Sequence, residues 1–101
     1  MNPEPLAPRE IELIRGIFAQ HPEVTEVKLF GSRAKGSHSH HSDIDLAVLG
    51  KVDALQVEAL AAELDELPLP NRFDVLSFDL VESIPLREHI ERVGLTLYPK
   101  A

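Results

Sequence analysis

The stretch of sequence that decides the fold is GSRAKGSHSHHSDIDL, residues 31–46. It follows a run rich in β-branched and apolar residues, Val24–Phe30, and it ends inside a second such run, DIDLAVL, residues 43–49. A Gly-Ser pair that ends a strand and precedes a helix leaves free backbone amides, which suit a phosphate oxyanion. Taken alone, a Gly-Ser pair is more simply an ordinary β-turn, but its position before an Asp-x-Asp strand favours a phosphate-binding turn.

Two carboxylates mark the start of the second strand. Asp43 and Asp45 are two residues apart, so their side chains point to the same face of a strand, with Cα atoms ~6.6 Å apart. Two like charges aimed at one spot repel each other, and a divalent cation between them removes that repulsion. Oxygen ligands favour Mg²⁺ or Mn²⁺. Ala47 and Leu49 follow on the same face, so only the start of this strand is expected to be open to solvent.

A third carboxylate, Asp74, lies near the start of another β-rich run, RFDVLSF, residues 72–78. If the two strands are neighbours, Asp74 can reach the cation held by Asp43 and Asp45. Three converging carboxylates fit a two-metal site for in-line displacement at phosphorus. The alternative is that these acids merely cap strand ends at the surface.

Positive charge accompanies the Gly-Ser turn. Arg33 and Lys35 follow it directly, and no acid lies between Lys28 and Ser42. The same stretch holds three of the five histidines, within SHSHHS, residues 37–42. Imidazole is a common zinc ligand, but the cluster shows no fixed ligand spacing, so a solvated loop is favoured over a zinc site.

The remaining chain alternates helices with strands. The patterns predict a helix that starts at Pro8 and is stopped by Pro22, a helix over residues 52–67, a helix capped by Ser83 and ended by Gly94, and a short strand Leu95–Tyr98. The apolar face of the second helix is expected to carry Leu55, Ala59, Ala62, Leu60, Leu64 and Leu67. This order predicts an α/β fold, a small mixed β-sheet flanked by helices. We expect a flexible lead-in over residues 1–7 and one domain over residues 8–101.

Composition excludes several classes of function. The 101 residues carry a net charge of −7, which opposes unaided binding to long nucleic acid or to an anionic membrane. The chain has no cysteine, which excludes disulfides, thiol nucleophiles and cysteine-ligated zinc. No apolar run approaches the ~18 residues of a membrane span, and the first residues do not resemble a signal peptide. A cytoplasmic location is therefore expected.

The motifs together resemble those of a known family. Gly31-Ser32, ten further residues and then Asp43-Ile44-Asp45 resemble the GS-x10-DxD signature of the minimal nucleotidyltransferases (MNT). This family belongs to the DNA polymerase β superfamily, and its members are often the antitoxin half of HEPN/MNT toxin–antitoxin pairs. The segment around Asp74 is similar to that family's third-carboxylate strand.

The resemblance implies a role for each matching residue. Asp43 and Asp45 would bind two Mg²⁺ ions, with Mn²⁺ as a substitute, and Asp74 would hold the catalytic metal and help to deprotonate an acceptor hydroxyl. Gly31 and Ser32 would grip the β- and γ-phosphates of a nucleoside triphosphate. Antitoxins of this family transfer AMP to a tyrosine of the partner toxin, which implies ATP as substrate and a HEPN-domain protein as partner. Beyond the resemblance, Arg33 and Lys35 are candidates for neutralising the negative charge of the phosphates.

Two other functions remain open. The fold could mask a toxin without catalysis, with nucleotide only as a ligand; the presence of all three carboxylates weighs against this alternative. It could also act on a small molecule such as an aminoglycoside, with an oligomer completing the site.

Overall fold

Helices and strands follow one another in the predicted order. The computed structural model describes residues 6–36 and 43–99. The elements are α1 (Pro8–Phe18), β1 (Val24–Phe30), α2 (Ser32–Lys35), β2 (Ile44–Gly50), α3 (Ala54–Asp65), β3 (Phe73–Ser77), a 3-10 turn (Phe78–Leu80), α4 (Ile84–Val93) and β4 (Leu95–Tyr98).

The four strands form one mixed sheet in the order β3-β2-β1-β4. β1 pairs antiparallel with both β2 and β4, whereas β2 and β3 run parallel. A parallel pair needs a long crossover between its strands, and α3 provides it. The predicted α/β fold, a small mixed sheet flanked by helices, is confirmed.

One face of the sheet carries the larger core. Alternation along β2 turns Ile44, Leu46 and Val48 to this face, where all three are fully buried. They pack with Ile14 and Phe18 of α1 and with apolar residues of α3. Because helices close this face, the polar side chains of β2 must point to the other one.

The opposite face carries a smaller apolar cluster. Ala47 packs there with Phe30, Phe78 and Ile90, so α4 lies over the middle of this face. The Arg87 guanidinium donates a hydrogen bond of 2.8 Å to the Phe78 carbonyl and lies 4.3 Å from the centre of the Phe78 ring, which fixes the 3-10 turn against α4. The start of β2, where Asp45 lies, is left beyond this cluster, as the pattern of Ala47 and Leu49 predicts.

Capping residues set the helix ends. Asp53 accepts a hydrogen bond of 2.8 Å from the Gln56 amide, so α3 begins at Ala54 rather than at residue 52. Ser83 caps α4 and Gly94 ends it, as predicted. The prediction that Pro22 stops the first helix is wrong, since α1 already ends at Phe18.

The chain after α1 is instead tied to α3 by a histidine. The His21 ring lies between two carboxylates, with Nε2 2.7 Å from Glu63 and Nδ1 3.3 Å from Glu23. This bridge joins the turn before β1 to the last turn of α3.

The apolar face of α3 is narrower than predicted. Leu60 and Leu64 are buried against the sheet, but Leu55, Ala59 and Ala62 are exposed, and placing these three on the buried face was wrong. At ~100° per residue the two sets lie on opposite sides of the helix, and the sheet can cover only one of them.

The predicted lead-in also ends earlier than expected. Leu6 is only 2% exposed and belongs to the larger core, which contradicts a loose segment at that position. Residues 1–5 lie outside the described part of the chain.

Among the helices of the described residues, none has the length and apolar character that crossing a lipid bilayer requires.

Replacing Leu60 by Ala should destabilise the protein by about 2–5 kcal/mol, because Leu60 is 1% exposed and its removal leaves a cavity. Replacing Leu55 by Ala in the same helix should change stability by less than about 0.5 kcal/mol, since Leu55 is 74% exposed. Urea denaturation measures both. Equal losses would contradict the assignment of the buried face.

Candidate active site

The Gly-Ser turn and the Asp-x-Asp strand meet in space. Phe30 at the end of β1 is the register partner of Asp45 in β2. At the next residue, Gly31, the chain turns with φ 77° and ψ −152°, a region that is essentially confined to glycine. A Cβ on Gly31 would overlap Asp45 Oδ2 and would lie 3.2 Å from Asp45 Cγ. The Asp45 carboxylate therefore occupies the space that a side chain at residue 31 would need.

The helix that follows this turn is a single turn long. α2 runs from Ser32 to Lys35 and ends at Gly36, which has φ 77° and ψ 11°. Ser32 is half-buried beside the turn, and Lys35 is exposed. Arg33 is only 4% exposed, so of the two cations predicted to neutralise phosphate, Lys35 alone extends into solvent.

Asp45 and Asp74 lie directly side by side. They are register partners in the parallel pair of β2 and β3, and Asp43 immediately precedes β2. Asp43 and Asp74 are exposed, whereas Asp45 is half-buried. Burial raises the pKa of Asp45 above its ordinary value of 3.8, and the neighbouring charges of Asp74 and then Asp43 raise it further. Asp74 and Asp43 thus both act on Asp45 at one end of the sheet.

The donor set suits a hard divalent cation. Its ligands are all carboxylate oxygens, and their mutual repulsion is what a bound cation would relieve. Over residues 6–36 and 43–99, however, no three His, Cys, Asp or Glu side chains are close enough together to hold a metal ion. The three carboxylates therefore lie at the same end of the sheet without forming a closed coordination sphere.

Two further residues lie near this end of the sheet. The His89 ring of α4 meets the Phe30 ring edge-on, with centroids 6.3 Å apart. Arg72 immediately precedes β3, and its carbonyl accepts a hydrogen bond of 2.9 Å from the Ile44 amide. Sequence reasoning missed Arg72, although its position two residues before Asp74 was a usable signal. The predicted histidine cluster, His38 to His41, lies outside the described residues.

A Gly-Ser turn beside an Asp-x-Asp strand, with a third carboxylate on the next parallel strand, is the arrangement expected of a nucleotidyltransferase. The model of the "Polymerase beta, Nucleotidyltransferase" family matches residues 12–101. The chain belongs to this family.

Similar proteins agree with this assignment. A probable protein adenylyltransferase MntA of Haemophilus influenzae is 32% identical over 93 residues, covering 90% of this chain and 81% of that protein. A crystal structure of a toxin–antitoxin complex with AMP-PNP matches with a TM-score of 0.72 at 24% identity, covering 89% of this chain and 73% of the other. A complex of an MNT antitoxin with the tri-AMPylated HEPN toxin of Shewanella oneidensis matches with a TM-score of 0.64 at 23% identity, covering 91% and 71%.

Substituting Ala at Gly31 should weaken AMP-PNP binding by at least about tenfold, because the new Cβ displaces the Asp45 carboxylate. Gly36→Ala is the control: Gly36 has the same φ, but within residues 6–36 and 43–99 no heavy atom beyond its chain neighbours lies within 4 Å of its Cβ. This control should lose about 1–2 kcal/mol of stability from backbone strain and keep its affinity. Calorimetric titration and urea denaturation separate the two effects. Equal affinity losses would show that strain alone matters.

Replacing Asp45 by Asn should raise the melting temperature at pH 7 by a few degrees, because the neutral amide removes a charge that burial and its neighbours destabilise. In a domain of this size, a stabilisation of about 1 kcal/mol corresponds to roughly 4–8 °C. A carboxyl whose pKa is raised by folding destabilises the native state above that pKa and has no such effect below its ordinary value of 3.8. The gain should therefore vanish as the pH falls towards about 3. Melting curves in EDTA from pH 3 to 8 measure it, with Asp65→Asn on exposed α3 as the control. A gain that persists at pH 3 would contradict the electrostatic cause.

Proposed function

We propose that this protein transfers AMP from ATP to a hydroxyl of a HEPN-domain toxin and thereby acts as its antitoxin. The observation that carries the proposal is the contact between the Asp45 carboxylate and the Gly31 turn. It supports the proposal because the Gly31 turn, which suits a phosphate, lies directly beside the carboxylates proposed for phosphoryl-type chemistry. The activity named for the Haemophilus influenzae relative, protein adenylyltransferase, supports AMP as the transferred group.

In this proposal the Gly31 and Ser32 amides bind the β- and γ-phosphates, and Lys35 neutralises them from solvent. The buried Arg33 would add positive charge beneath the same turn. The α-phosphate then lies over Asp45, because β2 is the next strand of the sheet. The bound nucleotide would run from the β1 side of the site towards the β3 side.

The transfer is a displacement at the α-phosphorus. The acceptor oxygen forms a bond to this phosphorus, the bond from phosphorus to the β-phosphate oxygen breaks, and pyrophosphate leaves. The acceptor proton passes to Asp74, which lies beside Asp45 and is open to solvent. Exposure of Asp74 allows the proton to be released to water afterwards.

A divalent cation pair, Mg²⁺ or Mn²⁺, would be held by Asp43, Asp45 and Asp74. When bound, it supplies charge stabilisation at the α-phosphate and promotes ionisation of the acceptor hydroxyl. The protein contributes the half-buried position of Asp45, which strengthens the attraction between this carboxylate and a cation. The proposal places the reaction in the cytoplasm, where ATP is available.

A non-catalytic antitoxin that masks its toxin is the second candidate function. The acidic, largely exposed surface of α3 could bind a basic partner without chemistry. Transfer to a small molecule is a third candidate, and it requires turnover without a protein partner.

Incubating the protein with a HEPN-domain toxin, ATP and Mg²⁺ should add mass to that partner in steps of one AMP. Intact-mass spectrometry detects these steps. Asp45→Asn should slow the addition by at least about 100-fold, since cation-assisted charge stabilisation contributes several kcal/mol. Asp65→Asn, on the exposed side of α3, should transfer AMP at the wild-type rate.

The outcomes separate the three functions. A stable complex with no added mass would favour masking. Added mass on an aminoglycoside in the absence of partner would favour the small-molecule activity. Unchanged transfer by Asp45→Asn would remove the carboxylate site from the mechanism.

A further inference from the structure

Arg72 lies at the same end of the sheet as the three carboxylates. It directly precedes β3, just as Asp43 directly precedes β2, and the hydrogen bond from the Ile44 amide to the Arg72 carbonyl sets these two strand starts side by side. Neighbouring strands are about 4.8 Å apart, and residues two apart on a strand are separated by about 6.6 Å. The Arg72 backbone is therefore a close neighbour of both Asp43 and Asp74.

The Arg72 side chain nevertheless pairs with neither acid. It is exposed, and within the two described ranges its guanidinium forms no ion pair and no hydrogen bond. A guanidinium carries five N–H donors and no acceptor, so its binding partners are oxygen acceptors. Arg72 thus places an exposed guanidinium, which binds oxygen acceptors, beside the carboxylate site.

The strand order determines which substrate this cation faces. β2 lies between β1, which leads into the phosphate turn, and β3, which Arg72 precedes. In displacement at phosphorus the attacking and leaving oxygens are roughly in line. If the leaving pyrophosphate lies at the Gly31 turn beyond β1, the attacking hydroxyl must come from the β3 side. Lys35 and Arg72 therefore flank Asp45 on the leaving-group side and the acceptor side, respectively.

We infer that Arg72 is an acceptor-binding residue: its guanidinium holds oxygen acceptors, a carboxylate or main-chain carbonyls, of the polypeptide segment that presents the hydroxyl. This inference rests on the proposed function for the direction of transfer. The cation also offsets the repulsion that a carboxylate-bearing segment would meet from Asp43 and Asp74. An Arg at this position selects a polypeptide acceptor without contacting the nucleotide.

The test separates the two substrates kinetically. Rates of AMP transfer to a HEPN-domain toxin are measured twice, with the toxin varied at saturating ATP and with ATP varied at saturating toxin. Arg72→Gln should raise the KM for the partner by about 10- to 100-fold, the effect of losing a charge-assisted hydrogen bond, and leave the KM for ATP unchanged. Lys35→Gln should do the reverse. Lys51→Gln, an exposed cation at the far end of β2, should change neither.

A binding measurement without catalysis completes the test. Titration calorimetry without ATP should show weaker partner binding for Arg72→Gln, partial recovery for Arg72→Lys and wild-type affinity for Lys51→Gln, with melting temperatures unchanged. A raised KM for ATP in Arg72→Gln, or no change in partner KM and affinity, would overturn the inference. Failure of the wild-type protein to transfer AMP would overturn the proposed function instead, and calorimetry would still decide whether Arg72 binds the partner.

Discussion

The carboxylate of Asp45 lies where a side chain at residue 31 would be, and the site depends on this one contact. It requires a glycine with a backbone conformation closed to other residues, and it requires Phe30 and Asp45 to be register partners. The contact joins a turn that suits phosphate to a strand that suits cations. Without it, the two motifs would be separate features of the chain.

The same contact has an energetic cost that the rest of the fold offsets. Asp45 is half-buried beside two other carboxylates, and its raised pKa records the unfavourable free energy of ionising it there. The buried residues on the opposite face of β2, Ile44, Leu46 and Val48, hold the strand in place despite this repulsion. A binding site that stabilises a ligand is in this way a source of instability when empty.

Local signals predicted the elements well. The β-branched run of β1, the serine cap of α4 and the glycine that ends α4 each correspond to a local physical rule, and all three lie where the sequence places them. The nearness of Asp74 to Asp45 was predicted on the condition that their strands are neighbours, and the parallel pairing of β2 and β3 meets that condition.

The mistakes have a different origin. α3 has apolar residues on two opposite sides, and the sequence does not say which side meets the sheet; Leu55 is exposed for that reason. Arg33 is buried whereas Lys35 is exposed, a difference that no sequence pattern could predict because α2 is only one turn long. Arg72 was missed although it lies two residues before Asp74, because its place beside Asp43 depends on the pairing of β2 with β3.

The parallel register of β2 and β3 has a consequence for folding. Side chains alternate strictly along a strand, so a slip of β2 by one residue would turn Asp45 towards the apolar helices and Ile44 towards solvent. A chain paired in this shifted register would lose both the larger core and the carboxylate site. Assembly of the native sheet and assembly of the carboxylate site are therefore one cooperative event. A chain that has closed its core already has Asp45 on the face that carries this site.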